Sequence, residues 1–251
     1  MWNFSTNSAI QEENMDNVIL EIKNLSKSFA KNKVLDGINL TLKKGSVLGL
    51  MGENGAGKST MMKCLFGIYA KDEGQFIFDG KITNFKSPKE ALENGVAMVH
   101  QELNQCLDRT VTDNLFLGRY PTRAGIIDEA KMLKDANKLF DSLNMNVNPS
   151  TIMRTMSVSQ RQMVEIAKAV SYDAKVIVLD EPTSSLTERE VQKLFSIVND
   201  LKKKGVSFVY ISHKMDEIFE ICDEVSVLRD GKLIMTKPTK ETNMNELIAA
   251  M

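Results

Sequence analysis

The stretch Gly52-Glu53-Asn54-Gly55-Ala56-Gly57-Lys58-Ser59-Thr60 has the residue types and spacing to hold a phosphate chain. It follows the pattern G-x-x-x-x-G-K-[ST]. Glycines let the backbone wrap closely enough that several N–H groups point at the phosphates, and a helix that starts there adds its partial positive charge. Lys58 supplies a point charge for the β- and γ-phosphates, and the Ser59 hydroxyl suits a magnesium ion. Further along, Lys175-Val176-Ile177-Val178-Leu179 is an apolar run ending in Asp180 and Glu181. On its own such a carboxylate pair is most often a solvated strand end. Following a phosphate loop, Asp180 is expected to be a second ligand of the nucleotide's magnesium, direct or through water. Glu181 beside it is able to orient or deprotonate an attacking water.

These residues need a parallel sheet behind them. Ser46 to Met51 feeds the loop as a strand and Thr60 to Phe66 leaves it as a helix. Val18 to Leu50 reads as short strands with a turn at Asp36-Gly37, and Phe76 to Ile82 as another strand and turn. Together they predict an antiparallel sheet packed on a nucleotide-binding core. Ser87, Pro88 and Glu90 have the spacing of a helix start, and Val96 to Gln101 reads as a buried strand. The character then changes. Met132, Leu133, Ala136, Leu139, Phe140 and Leu143 fall on one helical face, as do Met163, Ile166, Ala167 and Val170. Core strands resume at 175–181 and 206–212, with a capping box at Thr187 to Glu190 between them. A hairpin around Arg229-Asp230-Gly231 follows.

The expected fold is therefore α/β: a P-loop NTPase core with a mostly parallel sheet, an N-terminal antiparallel β-subdomain and an inserted α-helical subdomain. Residues 1–17 are polar and expected to be disordered. Residues 18–251 form one domain: 18–101 the β-subdomain and P-loop core, 102–170 the helical subdomain, 171–251 the remaining core.

Composition excludes several alternatives. The 251 residues carry 32 Lys and Arg against 33 Asp and Glu, so no bulk positive field invites nucleic acid. Lys202-Lys203-Lys204 reads as favourable charge at a helix C-terminus. Cys64, Cys106 and Cys222 are scattered and lack metal-ligand spacing, which suits a reducing compartment. No apolar stretch approaches the roughly 20 residues of a membrane span.

Taken in order, these segments resemble the ATP-binding-cassette ATPases over roughly residues 18–251. Phe29 matches the aromatic that stacks on adenine, although alone it reads more often as a core residue. Gln101 matches the glutamine that senses magnesium and the attacking water. Ser157-Val158-Ser159-Gln160 stands where the family has its serine-glycine-glycine-glutamine signature. Ser157 and Gln160 would there serve a nucleotide held by a second cassette. Ser184-Ser185-Leu186-Thr187 matches the loop after the second carboxylate, and His213 the histidine that contacts the γ-phosphate. His100 is read as structural. Two departures stand out: Val158 and Ser159 replace both signature glycines, and Thr187 replaces the usual acidic residue. Met156 to Ala169, Met51 to Thr60, Val99 to Asn104 and Leu117 to Pro121 look like the monosaccharide-importer branch. That branch normally joins two cassettes in one chain, so the sequence is expected to be an N-terminal half.

The resemblance implies a cytoplasmic ATPase, peripheral on the inner face of the cell membrane, that uses ATP and Mg²⁺ to drive monosaccharide uptake. Galactose or a methyl galactoside is the sugar expected. The implied partners are integral membrane permease subunits, a periplasmic sugar-binding protein, and a second cassette, fused or as a dimer. The implied site sets Glu181, His213 and Gln101 at the chemistry, and Phe29, the loop from Gly52 to Thr60, Ser157 and Gln160 on nucleotide. Ser59, Gln101 and Asp180 would hold the metal. Two rival readings are a family ATPase acting on nucleic acid or ribosomes, and a nucleotide-gated module without turnover. Balanced charge argues against the first, and intact Lys58, Asp180 and Glu181 against the second.

Overall fold

Parallel strands buried on both faces carry the chain's reactive edge. The computed structural model describes residues 17–100 and 104–251, so Gln101 lies outside the described residues, as do residues 1–16 of the segment expected to be disordered. Asn17, also assigned to that segment, is held: its carbonyl accepts the Lys44 N–H at 2.8 Å.

The chain opens with β1 (Val18–Phe29), β2 (Asn32–Lys43) and β3 (Val47–Met51), followed by α1 (Lys58–Leu65). β4 (Glu73–Phe78), β5 (Lys81–Thr83), α2 (Pro88–Glu93) and β6 (Val96–Val99) come next. The inserted lobe contains α3 (Val111–Leu115), a small hairpin β7 (Thr122–Arg123) and β8 (Ile126–Ile127), α4 (Glu129–Ser142) and α5 (Val158–Val170). The core then returns with β9 (Val176–Asp180), α6 (Glu188–Lys203), β10 (Ser207–Ile211) and α7 (Met215–Ile221). β11 (Glu224–Arg229), β12 (Lys232–Pro238) and α8 (Met244–Ala250) complete it.

The main sheet has the order β12-β11-β3-β10-β9-β6, with every neighbouring pair parallel except the edge strand β12. Alternation along its strands divides the core in two. Val47, Met51, Ile177, Leu179, Phe208 and Tyr210 face one apolar cluster, which they share with the lobe's Phe140, Val164 and Ile166. Leu48, Leu50, Val176, Val178, Val209 and Ile211 face the other, together with Met61 and Leu65 of α1 and the β-subdomain. Each such side chain taken from water is worth about 1.5–3 kcal/mol, so both faces are sealed and only the strand ends stay open.

The β-subdomain is a separate antiparallel sheet of order β2-β1-β4-β5. Here the expectation of short strands needs correcting. β1 and β2 are 12 residues each and turn at Ala30-Lys31, while Asp36-Gly37 lies inside β2. Gly37 has φ +63° and its N–H is taken by the Ser26 hydroxyl at 3.1 Å, so the dipeptide makes an irregularity in the ladder and the chain does not reverse. In α4, Met132, Ala136 and Phe140 are buried as expected, but Leu133 is exposed. The expected helix starts at Ser87 and Thr187 are both present, and Lys202 and Lys203 close α6.

One turn ties three parts together. Gly231, between β11 and β12, accepts the Asp36 N–H at 2.8 Å and donates its own N–H to the Ala56 carbonyl at 3.1 Å. The β11–β12 hairpin thereby pins the phosphate loop to β2. A Cβ at Gly231 would stand 2.3 Å from the Val34 carbonyl oxygen, and φ is +74°. Gly231→Ala is therefore expected to cost about 1–3 kcal/mol, seen as a lower urea midpoint with an unchanged slope. An unchanged midpoint would show that this turn does not fix the loop.

Candidate functional site

The parallel arrangement brings the phosphate loop, Asp180, Glu181 and His213 to one edge. β3 ends at Met51 and enters the phosphate loop, β9 ends at Asp180, and β10 ends at Ile211 just before Ser212 and His213. Their registers align these ends, with Ile211 opposite both Leu50 and Asp180. Carboxyl ends of neighbouring parallel strands form the crevice where open α/β sheets bind ligands.

Glu53 to Thr60 line a cavity of about 350 Å³ together with Val34, Asp180, Glu181 and Ile211. Gly52, at the entry to the loop, must be glycine: a Cβ there would stand 2.2 Å from the Leu228 carbonyl oxygen. The Lys58 ammonium is folded back onto the loop, donating to the Gly52 carbonyl at 2.5 Å and the Glu53 carbonyl at 3.0 Å. It occupies the concavity with its charge only partly balanced. Burial depresses its pKa, opposed by the nearby charges of Glu181 and Asp180. Asp180 shows the complementary effect: burial raises its pKa, with His100 pulling it back and Glu181 pushing it further up. Both groups are in surroundings that would favour an added counter-charge, an anion for Lys58 and a cation for Asp180.

That pairing fits a magnesium–triphosphate. Among the described residues no cluster of three His, Cys, Asp or Glu side chains is present to cage a metal. A cation here would use the Asp180 carboxylate, the Ser59 hydroxyl and phosphate oxygens, which is magnesium's habit.

Glu181 has φ +45°, the left-handed region that a side chain seldom adopts. Its N–H is held by the Ile211 carbonyl at 2.9 Å, and its Oε1 lies 3.2 Å from Nδ1 of His213. The strained conformation and the imidazole contact aim the carboxylate at the cavity that Glu181 itself lines. His213 is exposed, and His100, read as structural, is exposed beside Asp180.

The structure also shows a group that sequence patterns did not reveal. Behind Glu181 and His213 sits the buried carboxylate of Glu217, on α7. Its Oε1 accepts the Thr183 hydroxyl at 2.6 Å, and its Oε2 accepts the Tyr210 hydroxyl at 2.8 Å and the Ser212 hydroxyl at 3.1 Å. The Lys214 ammonium lies 3.0 Å from Oε1. Thr183 belongs to the loop after Glu181, and Ser212 and Lys214 flank His213. Burial alone would raise the Glu217 pKa, but the hydroxyl bonds and Lys214 outweigh it and the net shift is downward. One carboxylate thus joins the two loops that present Glu181 and His213.

Phe29 lies apart, outside the residues lining the cavity, at the tip of the β1–β2 hairpin and 41% exposed. Tyr69, unnoticed in the sequence, packs edge-on against it with ring centroids 5.1 Å apart, and the Lys27 ammonium is 5.3 Å from the Phe29 ring. Asp72 accepts the Ser28 N–H at 2.6 Å and Lys27 at 2.8 Å, fixing the strand end that carries Phe29. An exposed, edge-supported ring is free to stack on a planar base.

Ser157 and Gln160 are likewise not among the residues lining the cavity. They cap α5 in the lobe: the Gln160 N–H donates to Ser157 Oγ at 3.2 Å, and the Ser157 N–H donates to Gln160 Oε1 at 3.0 Å. Within this chain they do not meet the phosphate loop's cavity.

Comparison with known proteins places these features. The family model described as ABC transporter matches residues 35–184. The chain is 78% identical over 237 residues to the galactose/methyl galactoside import ATP-binding protein MglA of Treponema denticola, covering 94% of this chain and 48% of that one. It is 70% identical over 233 residues to the protein of the same name from Treponema pallidum, covering 93% and 47%. The chain therefore spans about half the length of the curated relatives it matches. Among solved structures, a nucleotide-free ATP-binding cassette from an ABC transporter superposes with a TM-score of 0.81 at 27% identity, covering 92% of this chain and 95% of that one. An ATP-binding cassette in its ADP conformation superposes at 0.80, also with 27% identity, covering 93% and 99%.

The Glu217 cluster has a measurable signature. Tyr210→Phe removes one donor to a buried carboxylate and is expected to cost about 1–2 kcal/mol in chemical denaturation. Because the folded Glu217 pKa is depressed, its stabilisation is present above the ordinary glutamate pKa of 4.5 and disappears as pH falls through the lower folded value. The difference in urea midpoint between wild type and Glu217→Gln should therefore shrink only in acid, below that ordinary value. A difference that is constant with pH would rule out a charged Glu217 in the fold.

Proposed function

The chain belongs to the ABC transporter family, and on that premise we propose that it binds and hydrolyses ATP to drive import of a monosaccharide, galactose or a methyl galactoside. The observation that carries this reading is the Glu181–His213 pair, 3.2 Å apart beside a cavity that Lys58 and Asp180 also line or approach. The sugar itself is suggested by the names of the relatives, since nothing in this cavity selects one.

In this reading Phe29, supported by Tyr69, stacks on the adenine. Backbone N–H groups from Gly52 to Thr60 and the start of α1 receive the phosphates, with Lys58 swinging from its own loop carbonyls onto phosphate oxygens. Magnesium, held by Ser59 and Asp180, would neutralise charge on the transferring phosphate. The resemblance assigns Gln101 to the same metal and to the attacking water. Glu181 positions that water and takes its proton, and His213 steadies Glu181 and contacts the γ-phosphate. Ser157 and Gln160, remote from this chain's own cavity, serve the nucleotide of a second cassette.

Residues 18–251 are read as one cassette, with residues 102–170 as its helical subdomain. It works with integral membrane permease subunits and, through them, a periplasmic sugar-binding protein. Among the described residues no helix is long and apolar enough to cross a membrane, so the permease would bring it to the inner membrane face.

Two substitutions separate binding from chemistry. Lys58→Ala removes the cation facing a polyanion and should cost about 2–4 kcal/mol in nucleotide affinity or transition-state stabilisation. Equal affinity together with equal turnover would remove Lys58 from the site. Glu181→Gln keeps the shape and loses the charge, so ATP should still bind while phosphate release falls roughly 10²-fold or more. Unchanged phosphate release would transfer the catalytic role elsewhere.

A further inference from the structure

The two places where this chain departs from the family pattern are bridged by one carboxylate, that of Glu190. Ser159, in place of a signature glycine, donates its hydroxyl proton to Oε1 of Glu190. Glu190 Oε2 accepts both the N–H and the hydroxyl of Thr187, each at 2.9 Å. Ser159 and Ser157 have their hydroxyl oxygens 2.9 Å apart. α5 of the lobe and α6 of the core are thus joined through side chains at their first turns.

A proton count gives these contacts a direction. An ionised carboxylate only accepts, and the bonds from Ser159 and Thr187 hold the Glu190 pKa down, so it stays ionised. Ser159 has one hydroxyl hydrogen, and Glu190 takes it. In the short contact between the two serines, Ser157 must then be the donor and Ser159 the acceptor. The backbone N–H of Gln160 approaches the same Ser157 oxygen from the helix, at 3.2 Å. Ser157 is exposed, yet its single hydroxyl hydrogen is directed back into its own chain and it offers only lone pairs outward. A phosphate oxygen also offers only lone pairs.

We propose that Glu190 is a positioning residue for Ser157: through Ser159 it holds the Ser157 hydroxyl turned away from the nucleotide that Ser157 serves on a second cassette. The inference rests on that cross-cassette role. Ser157 engages phosphate only when its O–H rotates off Ser159. Ser159 is 7% exposed, so little water replaces the donor it loses. The lobe and the core must therefore release this chain of hydroxyls before the signature segment acts.

Glu190→Gln tests the direction of the protons with almost no change in size. The Gln carbonyl is drawn to the two Thr187 donors, which turns its NH₂ toward Ser159. Ser159 then accepts from the amide, its own hydrogen is free for Ser157, and the Ser157 hydrogen is released. ATP turnover of the full-length protein should rise roughly 2- to 10-fold, the worth of one net hydrogen bond. Ser159→Ala should raise it similarly, and Ser159→Thr, which restores a hydroxyl, should return it toward the wild-type rate. A contact that merely braced the structure would give the opposite sign.

Ser157→Ala separates this inference from the one beneath it. If it lowers turnover and erases the gain of Glu190→Gln, both stand. If it lowers turnover but neither Glu190→Gln nor Ser159→Ala raises it, the positioning role is overturned and the cross-cassette role survives. If it changes nothing, the cross-cassette role fails first. A second readout needs no nucleotide: a double-mutant cycle of Ser159→Ala and Glu190→Ala on the unfolding equilibrium. The two should couple by roughly 2- to 10-fold, and additive effects would show that the serine and the carboxylate do not interact.

Discussion

A carboxylate taken out of water must be given hydrogen bonds in return, and Glu217 receives most of them from the loops that carry Glu181 and His213. Thr183 follows Glu181 in the chain, and Ser212 and Lys214 bracket His213. Neither loop can move far without leaving part of a buried charge unpaired. The geometry of Glu181 and His213 is therefore held from behind, by a residue that touches neither. The phosphate loop is held differently, by backbone contacts at Gly52 and Gly231 that leave no room for a side chain. Rigid backbone on one side of the cavity and a satisfied buried charge on the other keep the reactive edge in place before any ligand arrives.

The same edge is electrostatically incomplete. Lys58 bonds its own loop carbonyls, and Asp180 is pushed toward its neutral form by burial. Each would gain from a ligand that brings the opposite charge. A magnesium–triphosphate brings both at once, which makes the free site a poor resting place for either charge and a good receptor for the pair. Phe29, proposed as the base platform, lies outside the residues lining this cavity and gains little from ligand charge. Its placement rests on Asp72, which lashes the end of β1, and on the ring of Tyr69.

Features that depend on local spacing were legible in the sequence. The phosphate loop, the strand ending in two carboxylates, and the helix starts at Ser87 and Thr187 all lie within a few consecutive residues. Features that depend on which surfaces meet were not. Asp-Gly occurs at 36–37, 79–80 and 230–231. At the last two both residues have positive φ and the chain reverses, whereas at the first only Gly37 does and β2 runs on against its twelve-residue partner. The dipeptide permits a turn; the long β1 partner overrode it. Leu133 fits the apolar period of α4 yet is exposed. Glu217 and Tyr69 carry no motif, and the capping-box spacing of Glu190 says nothing of its contact with Ser159. Each acquires its role from partners brought in by the fold, and a hydroxyl's partner cannot be read from its position in the chain.

Glu181 occupies a left-handed backbone conformation that costs a side-chain residue on the order of 1–2 kcal/mol and a glycine almost nothing. Stability and chemistry therefore pull this position in opposite directions. Under the proposed role of Glu181, variation screened only for robust folding would drift toward glycine or asparagine there and yield sturdier proteins that no longer turn over. If Glu181 has the role proposed for it, a stability-guided redesign must leave this residue alone despite its unfavourable backbone angle.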